Sequence, residues 1–231
     1  MKVVCLVSGS KGGTGKSVLS AALSYTLAQR FGPTLLVDLG GGDSSLIALG
    51  AVPAQPSLDD VLKGKADPQS LFRESNLTSG LLVAPSRSPL TDGFHPEKLE
   101  EVLRVAKTKA DYVVLDFPAY THGPLDYLLE RADDILMVAT PTRLALERLR
   151  SWMETRAASL DTAKLTGILN MYVTTMGSWK RALLSMVEKA EVVYFDVALW
   201  FTHTRNIAEA MICCEKPTRE KVTELAAKLS S

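Results

Sequence analysis

The chain has 231 residues, of which 46% are hydrophobic and 23% are charged, and its 26 basic and 26 acidic side chains give a formal net charge of zero. This composition is typical of a globular protein and excludes disordered and collagen-like chains. A net charge of zero also excludes a general attraction to nucleic acids or anionic lipids, so binding of that kind needs a local patch of charge.

The first predicted element is a short apolar strand over residues 3–7. This run is too short for the hydrophobic region of a signal peptide, and no other stretch approaches the roughly 18 apolar residues that cross a bilayer. The three cysteines are an odd number and include an adjacent pair, which does not suit a disulfide framework; they are Cys5, Cys213 and Cys214. We therefore expect a cytoplasmic protein in a reducing compartment.

Seven apolar runs alternate with amphipathic segments along the chain, as in strands that are covered by helices on both faces. Helical spacing of apolar residues predicts helices over residues 17–29 and 96–107, and Thr142 and Ser178 are placed to open two more. The predicted strands are residues 3–7, 34–37, 81–84, 112–115, 135–140, 165–169 and 191–195. This alternation predicts an α/β fold, with one domain over residues 1–231 and a largely parallel sheet of about seven strands.

A glycine-rich loop joins the first strand to the first helix, and residues 8–17 read Ser-Gly-Ser-Lys-Gly-Gly-Thr-Gly-Lys-Ser. Glycines let successive backbone N–H groups converge on a phosphate, and the following helix N-terminus adds positive potential. Lys16 can reach the outer phosphates, and the Ser17 hydroxyl can ligate Mg²⁺. The loop departs from the strict P-loop pattern because Ser10 stands where a glycine is expected. The candidate phosphate-binding residues are Lys11, Gly12, Gly13, Thr14, Gly15, Lys16, Ser17 and Val18.

Residues 11–17 resemble the deviant Walker A signature K-G-G-x-G-K-[ST] of the MinD/ParA family of P-loop ATPases, because Lys11 adds a second lysine to the loop. The resemblance covers nearly the whole chain and looks closest to compact archaeal MinD-like proteins. It includes residues 35–38, 57–64, 111–119, 132–140 and 167–170. The resemblance implies that ATP and Mg²⁺ are the cofactors and that the ATP-bound protein is a homodimer. In that dimer Lys11 reaches the partner's nucleotide, while Lys16 and Ser17 act in cis. The chain also lacks the N-K-x-D motif that reads guanine, which favours ATP over GTP.

Two aspartates lie at the ends of predicted strands. In a parallel sheet the carboxyl ends of the strands lie at the same edge, so these side chains are expected to be close together. Asp116 follows the 112–115 strand and is the candidate Walker B acid, which binds a water on Mg²⁺. Asp38 ends its strand in the same way, so the candidate magnesium residues are Ser17, Asp38 and Asp116. Either aspartate could instead cap a helix. Asn170 resembles the family asparagine that hydrogen-bonds the adenine edge, and a simple turn residue is the alternative.

Two positions depart from the family pattern. Gly40 replaces the second aspartate of switch I, which positions the attacking water, so we expect slow hydrolysis. Asp43 can reach the site if the three preceding glycines make the loop permissive; alternatively, it caps the next helix. Tyr120 stands where the family usually has glycine and would restrict switch II. The candidate catalytic residues are Lys11, Lys16, Asp38 and Asp43.

Other polar and aromatic residues are expected to lie outside the chemistry. The histidines, His95, His122 and His203, have no cysteine or carboxylate at metal spacing. The tryptophans, Trp152, Trp179 and Trp200, are interpreted as core or interface anchors.

Between residues 143 and 189 basic side chains outnumber acidic ones by eight to four, which fits a solvated helical face or a surface for nonspecific DNA. Residues 221–231 look like a packed last helix, so no membrane anchor is evident.

These features favour an ATP-dependent dimerising switch with slow ATP hydrolysis. Its output would be spatial organisation, such as chromosome or plasmid partition or division-site placement, through a protein partner that senses the ATP-bound dimer. A P-loop small-molecule kinase or ligase is the alternative, because Gly40 leaves the water-positioning role open. A nucleotide-binding pseudo-ATPase adaptor is a further alternative.

Overall fold

Strands and helices alternate along the parts of the chain that the structure describes. The computed structural model describes residues 1–9, 12–51, 55–90, 96–119, 125–156, 160–202 and 206–231. The strands are β1 Lys2–Val7, β2 Thr34–Asp38, β3 Arg73–Glu74, β4 Leu81–Ala84, β5 Tyr112–Asp116, β6 Asp134–Ala139, β7 Leu165–Tyr172 and β8 Lys189–Tyr194. The helices are α1 Lys16–Arg30, α2 Asp43–Leu49, α3 Leu58–Leu62, α4 Pro96–Lys107, α5 Asp126–Arg131, α6 Arg143–Glu154, α7 Gly177–Leu184, α8 Val197–Trp200, α9 Ile207–Cys213 and α10 Lys216–Ser230.

The strands form a sheet in the order β3-β4-β2-β5-β1-β6-β7-β8. All neighbouring strands are parallel except β3 and β4, which are antiparallel. The predicted α/β fold with a largely parallel sheet is therefore confirmed. Over the described ranges the sheet has eight strands, where about seven are predicted. The additional strand is β3, whose two residues are too few for a hydrophobic period to reveal.

The sheet separates two hydrophobic layers, because successive side chains along a strand point to opposite faces. In β1, Cys5 and Val7 lie in one layer, and Val4 and Leu6 lie in the other. Helices α4 to α7 cover the first layer with buried side chains that include Leu99, Leu128, Leu149 and Leu183. Helices α1, α9 and α10 cover the second layer with side chains that include Leu23, Ile207 and Leu225. The last helix is therefore packed into the core, as predicted.

The end of β7 differs from its prediction in a way that affects the site. The strand continues to Tyr172, past the predicted end at residue 169, so Asn170 lies within a strand. The register of β7 against β8 shifts between Leu169 and Tyr172, and Met171 has a φ of 58°. A continuation of three residues with such an irregularity is too short to give an alternating hydrophobic pattern, which is why the sequence underestimates the length of the strand.

The topology brings the loops after the central strands to one edge of the sheet. β1 lies between β5 and β6, so the glycine-rich loop that follows it emerges in the middle of the carboxyl edge. In open parallel sheets this edge is where ligands bind. None of the helices in the described ranges is both long enough and apolar enough to cross a lipid bilayer.

Candidate functional site

The loop after β1 turns sharply into α1, and its glycines make the turn possible. Gly13 has a φ of 78°, and Gly15, the N-cap of α1, has a φ of 73°; both values lie in the left-handed region that favours glycine. A Cβ at Gly13 would meet no described atom within 4 Å, so the loop presents open backbone at this point. Lys11, which is predicted to act in trans, lies outside the described residues together with Ser10.

The ammonium group of Lys16 meets the carboxylate of Asp116. Lys16 Nζ lies 2.6 Å from Asp116 Oδ1, and the Ser20 hydroxyl donates to the same oxygen at 3.1 Å. The Lys16 side chain is 8% exposed, and that of Asp116 is fully buried. The structure therefore brings together the lysine and the acid that are predicted for the phosphate and magnesium site.

The second carboxylate oxygen of Asp116, Oδ2, is buried and has no hydrogen-bond partner among the described residues. It faces Gly40, because a Cβ built on that glycine would lie 3.4 Å from it. A buried acceptor without a partner is costly, and hydroxyl and carboxylate oxygens are the groups that Mg²⁺ and its waters prefer. Ser17 lines the cavity in front of the loop. Ser17 and Asp116 therefore fit a magnesium ion and its water shell.

Asp38 ends β2 beside Asp116 of β5, and its carboxylate holds the loop that follows it. Oδ1 accepts from the N–H groups of Gly40 and Gly41 at 2.9 and 3.0 Å, and Oδ2 accepts from the N–H and hydroxyl of Ser45 at 2.9 and 2.8 Å. Burial and the negative charge of Asp116 raise the pKa of Asp38, while the bonds from Ser45 oppose that shift. These contacts fit the helix-capping alternative, and the magnesium and catalytic roles of Asp38 stay predictions.

Gly40 and Asp43 both line a cavity of about 810 Å³ in front of the glycine-rich loop. Asp43 is exposed and is the first residue of α2, whose N-cap is Gly42 with a φ of 110°. A carboxylate in the first turn of a helix is favourable because of the helix dipole. Asp43 is thus placed both at the site and at the helix start, so both sequence alternatives fit its position.

The cavity also has an apolar, aromatic wall. The rings of Phe195 and Trp200 line it with their centroids 5.8 Å apart, and these side chains are 43% and 46% exposed. Trp200 therefore lines the cavity, whereas it is predicted to be a core or interface anchor. Trp152 is buried in the core, and Trp179 packs against it. One feature of the sequence could have indicated this wall. Phe195 directly follows β8, and so lies at the carboxyl ends of the strands with the other site residues.

Asn170 lines the same cavity and contacts the glycine-rich loop directly. Its amide Nδ2 donates to the Thr14 carbonyl at 2.8 Å, and the two residues are 8% and 3% exposed. Sequence reasoning missed this contact because the two residues are 156 positions apart. The predicted contact of Asn170 with an adenine stays a prediction.

Some expectations concern residues elsewhere in the chain. The histidines His95, His122 and His203, and also Tyr120, lie outside the described residues. Within the ranges that the structure describes, no three His, Cys, Asp or Glu side chains are grouped so that they could hold a metal. The basic excess between residues 143 and 189 is partly neutralised: Arg143 Nε lies 2.6 Å from Glu147, and Arg156 is buried against Asp126 at 3.1 Å. Two of the eight basic side chains are thus paired, and both interpretations of this region stay predictions.

Comparison with known proteins gives consistent matches. A family model described as an AAA domain matches residues 1–164. An uncharacterized ATP-binding protein of Methanocaldococcus jannaschii is 33% identical over 147 residues, which are 61% of this chain and 54% of the relative. The septum site-determining protein MinD of Thermotoga maritima is 27% identical over 141 residues, which are 60% of this chain and 52% of that protein. The match therefore spans about half the length of both relatives.

A solved structure has the same fold over almost the entire chain. It is a MinC:MinD cell division protein complex from Aquifex aeolicus, in which the matching chain has a TM-score of 0.82 and 21% sequence identity. The match covers 99% of this chain and 96% of the other. At this identity the likeness establishes the common fold alone.

Proposed function

The chain belongs to the MinD/ParA family of P-loop ATPases, and from that premise we propose that it is an ATP-dependent dimerising switch with slow hydrolysis, acting in spatial organisation. The observation that carries the proposal is the buried Lys16–Asp116 pair at the glycine-rich loop. The other oxygen of Asp116 faces Gly40 and has no hydrogen-bond partner within the described ranges. In this proposal residues 1–231 form one ATPase domain located in the cytoplasm.

The glycine-rich loop is the proposed binding site for the triphosphate of ATP. Backbone N–H groups of residues 12–18 bind phosphate oxygens, and the Lys16 ammonium provides the positive charge. Ser17 and Asp116 would hold Mg²⁺ and its water, and the carboxylate of Asp38 keeps the neighbouring loop in place. The magnesium ion, when bound, neutralises charge on the phosphate oxygens. The aromatic wall formed by Phe195 and Trp200 is the proposed location of the base, with Asn170 on its edge.

Hydrolysis is proposed to be slow because no side chain projects from Gly40 toward the water that attacks the phosphate. Water attack needs an acceptor that orients it, and the family normally provides one at this position. Asp43 lines the cavity from the start of α2, so its carboxylate is the remaining candidate for this role. A slow reaction would let the ATP-bound state persist and act as the signal.

The output of the switch is proposed to be dimerisation and recruitment of a protein partner, as in chromosome or plasmid partition or division-site placement. Lys11 would act in trans on the partner's nucleotide. A solved relative of the same fold is in complex with MinC, which supports the idea that a surface of this fold binds other proteins. Nonspecific DNA is a further candidate partner, through the basic side chains between residues 143 and 189.

Measurement of molar mass in solution tests this proposal. Size-exclusion chromatography with light scattering is run on the wild type with Mg-ATP, with Mg-ADP and without nucleotide. We expect a dimer only with Mg-ATP, and a Lys11→Ala variant that still binds ATP but stays monomeric. A wild-type monomer in all three conditions, despite demonstrated ATP binding, would contradict the dimerising switch.

A small-molecule kinase or ligase is the second candidate, and the space beside Gly40 favours it. The cavity of about 810 Å³ extends from Gly40 and Asp43 to the aromatic wall, so a second substrate could approach the outer phosphate in place of water. Release of ADP that depends on an added small molecule, with negligible release in its absence, would support this candidate. No turnover under either condition would indicate the pseudo-ATPase adaptor.

A further inference from the structure

We propose that Asn170 is a positioning residue for the phosphate loop, and that it holds the loop in its receptive shape whether or not a base is present. The inference rests on the proposed nucleotide-binding function and deepens it. Asn170 is implied by family resemblance to contact adenine. The contact found here is different, because its partner is the backbone of the loop itself.

The hydrogen bond from Asn170 to the loop is buried at both ends. Nδ2 lies 2.8 Å from the carbonyl oxygen of Thr14, and the two residues are 8% and 3% exposed. Both residues are largely shielded from solvent, so loss of this hydrogen bond should destabilise the loop. The bond therefore ties the loop after β1 to β7, although β6 lies between these strands in the sheet.

The backbone around Asn170 is shaped to make this contact. Met171 has a φ of 58°, which is uncommon for a residue with a side chain, and the β7–β8 register shifts at this point. On the loop side, a Cβ at Gly15 would overlap the Asn170 amide nitrogen and would lie 3.0 Å from Met171 Cε. The irregular end of β7 and the glycine of the loop thus fit each other closely.

One amide group can hold the loop and still contact a base. The side chain of asparagine has two N–H donors and one carbonyl acceptor. One donor is used by Thr14, and Asn170 also lines the cavity. The loop-holding role and the base-reading role are therefore compatible, and a ligand that has phosphates but no base separates them.

The test compares Mg-ATP with magnesium tripolyphosphate as ligands in calorimetry. The variants are Asn170→Ala, Asn170→Asp and, as a matched control, Asn206→Ala. Asn206 also uses its side chain to bond a backbone N–H, at the start of α9, and it is not among the residues that line the cavity. We expect Asn170→Ala to weaken tripolyphosphate binding about five- to tenfold and ATP binding at least as much, since one buried hydrogen bond is lost. Asn170→Asp should lose more, because an acceptor then faces the Thr14 carbonyl, and Asn206→Ala should leave both affinities unchanged.

Two results would overturn the inference. The first is an Asn170→Ala variant that weakens ATP binding but binds tripolyphosphate like the wild type, since the residue would then read only the base. The second is an unchanged affinity for both ligands.

Hydrogen exchange in the ligand-free protein separates this inference from the proposed function. If the wild type binds neither ligand, the proposed function fails, but Asn170→Ala should still accelerate amide exchange in residues 12–18 more than Asn206→Ala does. Equal exchange in the two variants would refute the positioning role. Thermal melting of each variant shows whether any change is local or global.

Discussion

Lys16 at the start of α1 and Asp116 at the end of β5 form a buried ion pair, with Nζ 2.6 Å from Oδ1. Neither charge has ready access to water, so each depends on the other for its solvation. On the side of Gly40, the other oxygen of Asp116 has no hydrogen-bond partner in the part of the chain that the structure describes. The same two side chains therefore contribute to the stability of the protein and to its candidate site.

Removing one member of this pair should destabilise the protein strongly. Lys16→Met leaves the buried Asp116 carboxylate without its counter-charge, and we expect the free energy of unfolding in urea to fall by about 3–5 kcal/mol. The double variant Lys16→Met/Asp116→Leu should recover much of this loss, because apolar side chains can replace a buried ion pair. Binding of ATP should be lost in both variants. If the double variant loses as much free energy of unfolding as the two single variants together, the two charges do not depend on each other.

Asp38→Asn should change how stability depends on pH. The pKa of Asp38 is raised by burial and by Asp116 above its ordinary value of 3.8, so the folded protein holds the proton more tightly than the unfolded chain. The resulting stabilisation is complete below the unfolded pKa and is lost as the pH rises through the folded pKa. We expect the wild type to lose stability relative to Asp38→Asn as the pH is raised from below 3.8 toward neutrality, as measured by urea unfolding.

Asp59→Asn is the control for that experiment because its effect has the opposite sign. Burial acts to raise the pKa of Asp59, but hydrogen bonds from Ser88, the Arg87 N–H and Ser86 lower it overall. A lowered pKa gives stabilisation that is present above the unfolded pKa and lost as the pH falls. The wild type should therefore gain stability relative to Asp59→Asn over the same rise in pH. Parallel curves for the two variants would contradict the assigned directions.

Much of this site can be predicted from the sequence, because its parts lie at the ends of recognisable strands. The loop before Lys16 has a local pattern, and Asp38 and Asp116 follow apolar runs, so a parallel sheet must bring them to one edge. The bond between Asn170 and Thr14 could not be found in this way. It depends on an irregularity at the end of β7, and long-range hydrogen bonds leave no periodic signal in a sequence. The sequence is also compatible with two roles for Asp38, because helix capping and metal binding both use an aspartate at the end of a strand.

Gly40→Asp should accelerate hydrolysis of ATP. The φ of Gly40 lies outside the left-handed region, so an aspartate fits its backbone, and its Cβ would lie 3.4 Å from Asp116 Oδ2. A carboxylate there can orient and deprotonate the attacking water, and we expect single-turnover hydrolysis to rise about tenfold or more. Gly40→Asn is the uncharged comparison and should give a smaller increase. An unchanged rate in Gly40→Asp, with ATP binding retained, would show that the missing aspartate does not limit the reaction.

Asp43→Asn tests whether Asp43 orients water in the wild type. The variant keeps a polar side chain at the first residue of α2 but removes the charge that faces the cavity. If the carboxylate positions the water, hydrolysis should fall about tenfold or more, while the affinity for ATP changes little. If Asp43 only stabilises the start of α2, the rate should be unchanged and the protein slightly less stable, and that result would remove Asp43 from the mechanism.

Trp200→Ala should weaken the binding of ATP without affecting the binding of tripolyphosphate. Trp200 and Phe195 form the aromatic wall of the cavity, and a base that stacks on an aromatic ring gains about 1–3 kcal/mol. We expect the affinity for Mg-ATP to fall about tenfold or more in calorimetry. Phe201→Ala is the control, because Phe201 is 47% exposed but is not among the residues that line the cavity. This pattern differs from the one expected for Asn170→Ala, which should weaken the binding of both ligands. A Trp200→Ala variant that weakens both ligands equally would mean that the aromatic wall supports the loop and does not bind the base.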